Sequence, residues 1–165
     1  MKKILVDLIQ DKDVNNRRRI IILMIWFRLL CALRKKAILR YIFLPLEVLY
    51  RIYSEIFLSI ELRPGTKIGK NLRIDHGFGI VININTIIGE NCHIRHGLTV
   101  GCKMSSDGKE MPSPKLGDNI EIGCHVSIIG NIEIGSNTKI GAGAVIYDSI
   151  QENSLVFSPK PTLIN

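Results

Sequence analysis

The stretch Leu116-Gly117-Asp118-Asn119-Ile120-Glu121-Ile122-Gly123, with Ile134-Gly135-Ser136-Asn137-Thr138-Lys139-Ile140-Gly141-Ala142-Gly143-Ala144-Val145-Ile146 beyond it, decides the fold. An aliphatic residue returns every six positions, usually followed by glycine. The same beat runs through Ile128-Ile129 between these two pieces and backwards to Ile88-Gly89, Ile94-Arg95 and Val100-Gly101. Before that it gives Ile68-Gly69, Ile74-Asp75 and Ile80-Val81, with a two-residue slip expected after Val81. The result is twelve hexads in four sets of three. Four positions after the aliphatic there is usually a second small or apolar residue: Leu72, Phe78, Ile84, Cys92, Leu98, Ile120, Val126, Ile132 and Ala144.

A six-residue unit with one inward aliphatic makes one short strand and one corner. Three corners close a triangular coil, and the next coil stacks on it by parallel strand pairing. Glycine and Asn/Asp after the aliphatic suit tight or left-handed corners, as in Gly89-Glu90-Asn91-Cys92 and Gly117-Asp118-Asn119-Ile120. Strands of a β-sandwich alternate with period two, which this sequence does not. The pattern therefore predicts a mainly β chain, a left-handed parallel β-helix over 61–157 with a short α-helical N-terminal region over 1–60 and a tail over 158–165. Residues 102–114 are polar, contain Gly108, Pro112 and Pro114, and fit no hexad. They should leave the prism as a loop, and long excursions from a regular scaffold are commonly functional.

The formal charge of +7 resides in the N-terminal region: residues 1–60 hold 12 Lys/Arg against 5 Asp/Glu, and residues 61–165 hold 10 against 10. A neutral β-helix offers no basic face for nucleic acid, which is not expected as a partner. Cys31, Cys92, Cys102 and Cys124 form no C-x-x-C pair and no metal spacing, and the first fifteen residues carry Asp7, Asp11 and Asp13 rather than a signal-peptide pattern. Reduced thiols in a cytoplasmic protein are the expectation. Ile20–Leu33 is almost wholly apolar, broken by Arg28 and flanked by Arg17–Arg19 and Arg34–Lys36, and is too short and charged to span a bilayer. Two roles fit it. It can cap the open end of the prism and build a trimer contact, or it can hold the protein at the inner face of the membrane through its basic flanks.

Stacking the coils places His76 and His96 two positions after Ile74 and Ile94, with Cys124 and Ala142 in the same place above them. The column His76–His96–Cys124–Ala142 should rise along one edge at about 4.8 Å per step. Two histidines leading into small residues suggest a reaction centre opening into a groove. His93 and His125 are expected outside this column. A metal site built from His76, His96 and His125 lacks a characteristic ligand spacing, and no metal is expected.

Ile74-Asp75-His76-Gly77-Phe78-Gly79-Ile80-Val81-Ile82, Leu98-Thr99-Val100-Gly101 and Lys139-Ile140-Gly141-Ala142-Gly143-Ala144-Val145 resemble the serine acetyltransferase family of hexapeptide-repeat transferases. Val48-Leu49-Tyr50-Arg51-Ile52, Ile94-Arg95-His96-Gly97 and Asn153-Ser154-Leu155-Val156 are similar to its short colanic-acid and exopolysaccharide O-acetyltransferases. The resemblance covers about residues 46–157. It implies acetyl-CoA as co-substrate, a homotrimer, and His76 as the general base that takes the proton of the acceptor hydroxyl. It further implies that Glu61, fifteen residues upstream, orients this histidine. Gly101, Gly123, Cys124, Ala142 and Gly143 match cofactor-groove positions, with Lys139 and Lys160 near phosphates. The second active-site histidine of the serine enzymes is replaced by Ser113, before Pro114-Lys115, and His96 stands where they have another polar residue. Those departures fall on the amino-acid site. The expected activity is O-acetylation of a sugar hydroxyl in capsule, exopolysaccharide or lipopolysaccharide assembly. The alternatives are serine O-acetylation for cysteine synthesis and a catalytically silent trimeric adaptor.

Overall fold

The computed structural model describes residues 9–34 and 42–158. Lys160 and the Lys35-Lys36 flank lie outside the described residues. Helix α1 (Arg18–Arg34) is followed by α2 (Leu44–Arg51), which continues as one π-helical segment (Ile52–Phe57), and then the β-helix begins. Its strands fall into three parallel sheets. The first holds β1 (Ile60–Leu62), β4 (Ile80–Ile82), β7 (Thr99–Gly101), β10 (Ser127–Ile129) and β13 (Val145–Ile146) in that order. The second holds β2 (Lys67–Ile68), β5 (Ile87–Ile88), β8 (Lys115–Leu116) and β11 (Glu133–Ile134). The third holds β3 (Arg73–Asp75), β6 (His93–Arg95), β9 (Glu121–Ile122), β12 (Lys139–Ile140) and β14 (Leu155–Val156). Every third strand lands on the same sheet because each hexad turns the chain by one side of the triangle.

The inward aliphatics stack in register. Ile68 pairs with Ile88, Ile88 with Leu116 and Leu116 with Ile134, and Ile122 pairs with Ile140 and Ile140 with Val156. The corner after the second sheet is held by a ladder of asparagines in left-handed backbone. Asn71 donates to Asn91 (2.8 Å), Asn91 to Asn119 (3.2 Å), Asn119 to Asn137 (3.1 Å) and Asn137 to Asn153 (3.1 Å). Asparagine tolerates this conformation and carries both a donor and an acceptor, so the side chains join coil to coil where strand pairing stops.

One register differs from the sequence reading. Val100 pairs with Ile82, not with Ile80, and Ile80 pairs with Ile60. The two extra residues therefore sit in the corner 76–79, before β4 rather than after it. Ile80 fills the inward place that Leu98, Val126 and Ala144 fill in later coils, and Phe78 is turned out to 60% exposure.

The N-terminal region closes the first coil. Ile20, Leu23, Met24, Phe27 and Leu30 of α1 are buried in the same core as the β-helix aliphatics. Below the coil, Asp11 and Arg28 form a buried ion pair (Nε–Oδ2 2.8 Å). Arg28 also donates to the carbonyls of Ile68 (2.7 Å) and Gly69 (2.6 Å), and Asp11 accepts from the Leu72 amide (2.8 Å). Asn15 donates to the Leu72 carbonyl and accepts from the Ile74 amide, each at 2.8 Å. These three side chains satisfy strand-edge groups that would otherwise end unpaired. The face of α1 formed by Ile20, Leu23, Met24, Phe27 and Leu30 thus caps the first coil, while Ile22 on the other face is 51% exposed. Among the described residues no helix is long and apolar enough to cross a membrane. Tyr50 ties α2 to β1 through a hydrogen bond to the Leu62 carbonyl (2.7 Å), and burial pushes its hydroxyl well above the ordinary tyrosine pKa.

Candidate active site

The inserted corner presents His76 to solvent in left-handed backbone, φ 54°, with Gly77 buried behind it against Ile20. His76, His96, Arg19, Phe57, Leu58, Ser59, Gly77 and Phe78 line an open cleft of about 620 Å³. The rings of His76 and His96 meet edge-on with centroids 5.9 Å apart. The predicted column is right from His96 upward and shifted below it. Gly97, His125 and Gly143 donate their amides to the carbonyls of Phe78, His96 and Cys124, so the backbone place beneath His96 belongs to Phe78. His76 precedes it by two residues and reaches His96 with its ring alone.

His125 joins this cluster instead of standing outside it. Its ring lies 4.9 Å from that of His96, edge-on. It shares its corner position with Gly79, Gly97 and Gly143, all of positive φ. A Cβ at Gly97 would collide with the His125 ring, so this glycine leaves the space that the imidazole occupies. His96 Nδ1 is buried and has no hydrogen-bond partner. His93 does turn away, as expected. Its Nε2 is 2.8 Å from Asp75 Oδ2, and Arg73 lies 3.0 Å from the same oxygen. Burial acts to raise the Asp75 pKa, but the hydrogen bonds from Arg73 and His93 outweigh it and hold the carboxyl below its usual range.

Glu61 is not brought to His76. It projects outward from β1 and pairs with Arg63 at 3.1 Å. The group that reaches His76 is Arg17, whose Nη2 stands 3.2 Å from Nδ1. Arg17 entered the sequence reading only as part of a membrane flank, and a contact across 59 residues leaves no local trace in sequence.

A second groove of about 290 Å³ follows the same edge upward, lined by Arg95, Glu121, Gly123, Lys139, Ile140, Gly141, Ala142, Leu155 and Phe157. Gly123, Ala142 and Lys139 all line this groove. A Cβ at Gly123 would come within 2.5 Å of the Ala142 nitrogen, so the floor admits nothing larger. Cys124 and Gly143 adjoin on the next corner residues. The Lys139 ammonium lies 3.5 Å from Glu121, which Arg95 approaches at 3.6 Å from the other side. Gly101 lies apart, at the far end of β7 opposite Ile129. The excursion 102–114 leaves there as a hairpin, bridged at Met104 and Glu110. It returns through buried Ser113, which donates to Asn83 at 3.0 Å. A larger polar cleft of about 940 Å³ lies on the second sheet between Lys115 and Glu152, and no histidine or cysteine lines it. Among the described residues no set of three or more His, Cys, Asp or Glu is gathered that could hold a metal ion.

Comparison with known proteins places this geometry. Residues 113–148 match the bacterial transferase hexapeptide family (six repeats). Over 128 residues the sequence is 40% identical to WcaB of Escherichia coli K12, named provisionally as a colanic acid biosynthesis acetyltransferase, with 77% of each chain covered. The chain belongs to the hexapeptide-repeat acetyltransferases. This acetyltransferase is also 44% identical over 103 residues to a serine acetyltransferase of Staphylococcus aureus, covering 62% of its own length and 47% of that protein. It superposes on serine acetyltransferase isoform 3 of Entamoeba histolytica, solved with cysteine, with a TM-score of 0.73 and 29% identity over 99% of its length. It spans only 60% of that structure. Acetyltransferases carrying both kinds of name are therefore similar to it, and the acyltransferase class is common to them.

Proposed function

We propose that this acetyltransferase moves an acetyl group from acetyl-CoA to a sugar hydroxyl during assembly of a surface polysaccharide. The observation that carries this reading over serine is Ser113. It stands where the serine enzymes supply a second histidine, and its side chain is buried and spent on Asn83. The amino-acid site would lack that imidazole. An exposed cleft walled by Phe57 and Phe78 suits a sugar, whose C–H faces pack on aromatic rings. The match to the WcaB relative over 77% of both chains supports the same acceptor class.

In this reading His76 takes the acceptor proton as the oxygen attacks the thioester carbonyl, the C–S bond breaks, and the proton passes to the departing sulfur. A positioned base of this kind contributes about 10²–10⁴ in rate. Gly123, Cys124, Ala142 and Gly143 would let the pantetheine approach the backbone, and Lys139 would turn from Glu121 to a phosphate. Exposed apolar side chains border both sites, Phe57, Phe78 and Val81 at one and Leu155 and Phe157 at the other. A homotrimer would cover them with neighbouring copies. The test is thiol release from acetyl-CoA with sugar nucleotides and oligosaccharides on one side and L-serine on the other. Turnover with sugars and background rates with serine are expected, and turnover with serine alone overturns the reading.

His96 lines the cleft beside His76, and in this reading it helps hold the acceptor or the thioester oxygen. His96→Ala is expected to lower kcat about tenfold or more with little change in acetyl-CoA affinity, on the scale of one lost polar contact to the transition state. Unchanged kcat would reduce His96 to a corner residue.

A further inference from the structure

The base of this enzyme is held in a form that cannot act. A neutral imidazole has one lone pair, and a guanidinium can only donate. With Arg17 Nη2 at 3.2 Å, a hydrogen bond to a neutral His76 ring requires the lone pair on Nδ1 and leaves the proton on Nε2. Neither nitrogen can then receive the proton of a hydroxyl. For transfer to occur, Arg17 has to leave Nδ1.

The surroundings say what would draw it away. Arg17, Arg18 and Arg19 stand together at the start of α1, whose first turn contains no acid. Cations are unfavourable at the positive end of a helix dipole. Among the described residues no carboxylate pairs with any of the three, whereas Arg28, Arg34, Arg51, Arg63, Arg73 and Arg95 each have one. Arg19 lines the cleft itself, and no acidic residue does. Among the described residues, the positive charge of the cleft beside the reacting histidine thus has no carboxylate partner. The groove suited to acetyl-CoA lies toward the opposite end of the same edge, around Gly123, Lys139 and Ala142.

We propose that the acceptor sugar carries an anionic group, a carboxylate or a phosphate ester, that Arg17 and Arg19 bind, and that this binding releases His76 to act as base. The inference rests on the sugar reading given above and names the class of sugar. Once Arg17 pairs with the anion, the ring proton can reside on Nδ1 and the Nε2 lone pair is free. The acceptor O–H proton then goes to Nε2, the new O–C bond forms as the C–S bond breaks, and the proton leaves on the CoA sulfur. A neutral sugar leaves Arg17 on Nδ1 and is a poor acceptor even where it fits. Arg17 is thus a positioning residue that makes the base conditional on the substrate's charge.

Long-range ¹H–¹⁵N correlation of the histidine rings in the full-length enzyme reads this directly. In the free enzyme the His76 proton should sit on Nε2. D-glucuronate or D-glucose 6-phosphate should move it toward Nδ1, D-glucose should not, and the stronger of the two anions identifies the group. R17A and R17Q should show mixed tautomers without ligand and no response to either anion. They should also hydrolyse acetyl-CoA, with water as acceptor, at least threefold faster than the wild type. A purely structural Arg17 would alter neither readout. Equal responses to glucose and glucuronate, a response to CoA alone, or an R17A ring indistinguishable from the wild type would each overturn the proposal. Equal acetylation of glucosides and glucuronides would overturn it while leaving the sugar reading intact. An anion response accompanied by transfer to serine alone would keep Arg17 as the switch and remove the sugar.

Discussion

Replacing His76 with alanine is expected to lower kcat by about two orders of magnitude or more, the scale of a lost general base, without loss of the folded state. The structure separates the two consequences. The His76 side chain is exposed on the inserted corner, and the packing at that point is done by its neighbour Gly77, which is buried against Ile20, Ile60 and Ile74. Its left-handed backbone, φ 54°, is one that alanine adopts less readily, so a small stability loss accompanies the change. Steady-state kinetics together with a melting curve resolve the two effects. A folded variant within threefold of the wild-type rate would remove His76 from the chemistry.

Asp11→Ala should have the largest effect on stability. Its carboxylate is 1% exposed and holds Arg28 through two hydrogen bonds, of 2.8 and 3.1 Å, while accepting the Leu72 amide with the second oxygen. Truncation leaves a guanidinium buried at 9% exposure and the Leu72 amide without its partner. Breaking one half of a buried pair costs about 3–5 kcal/mol. For a domain of this size each kcal/mol lowers Tm by roughly 2–4 °C, giving a fall of roughly 6–20 °C. A Tm within two degrees of the wild type would show that water replaces the carboxylate at the base of the prism.

The β-helix was legible because its period is global: one aliphatic per side of the triangle cannot be confused with strand alternation. The location of the inserted residues was not, because Ile80 and Ile82 are both apolar and both buried, at 0% and 1% exposure. Either frame satisfies the hydrophobic pattern, and only strand pairing with Ile60 and Val100 chooses between them. The same choice decides which backbone place lies under His96. His125 was hidden by backbone conformation. At positive φ its side chain swings across Gly97, and a count of sixes treats that corner like any other. Glu61 was implied only by the family resemblance, and in the structure a side chain two residues away, Arg63, takes its carboxylate. Arg17 and Asp11 lie in a region whose charge was read as a whole. Which arginine meets the histidine and which is buried beneath it depends on how α1 docks, and that is long-range packing.

The two residues gained at the corner of His76 leave every pairing above and below them undisturbed. A stacked coil can therefore acquire a protruding reactive side chain at any corner for the cost of a short insertion, and the rest of the stack behaves as a ruler. The number of rungs above the insertion fixes how much length remains along that edge. Adding or deleting a whole coil between the insertion and β14 would lengthen or shorten the seat for an extended thiol ester by about 4.8 Å while leaving the corner itself unchanged.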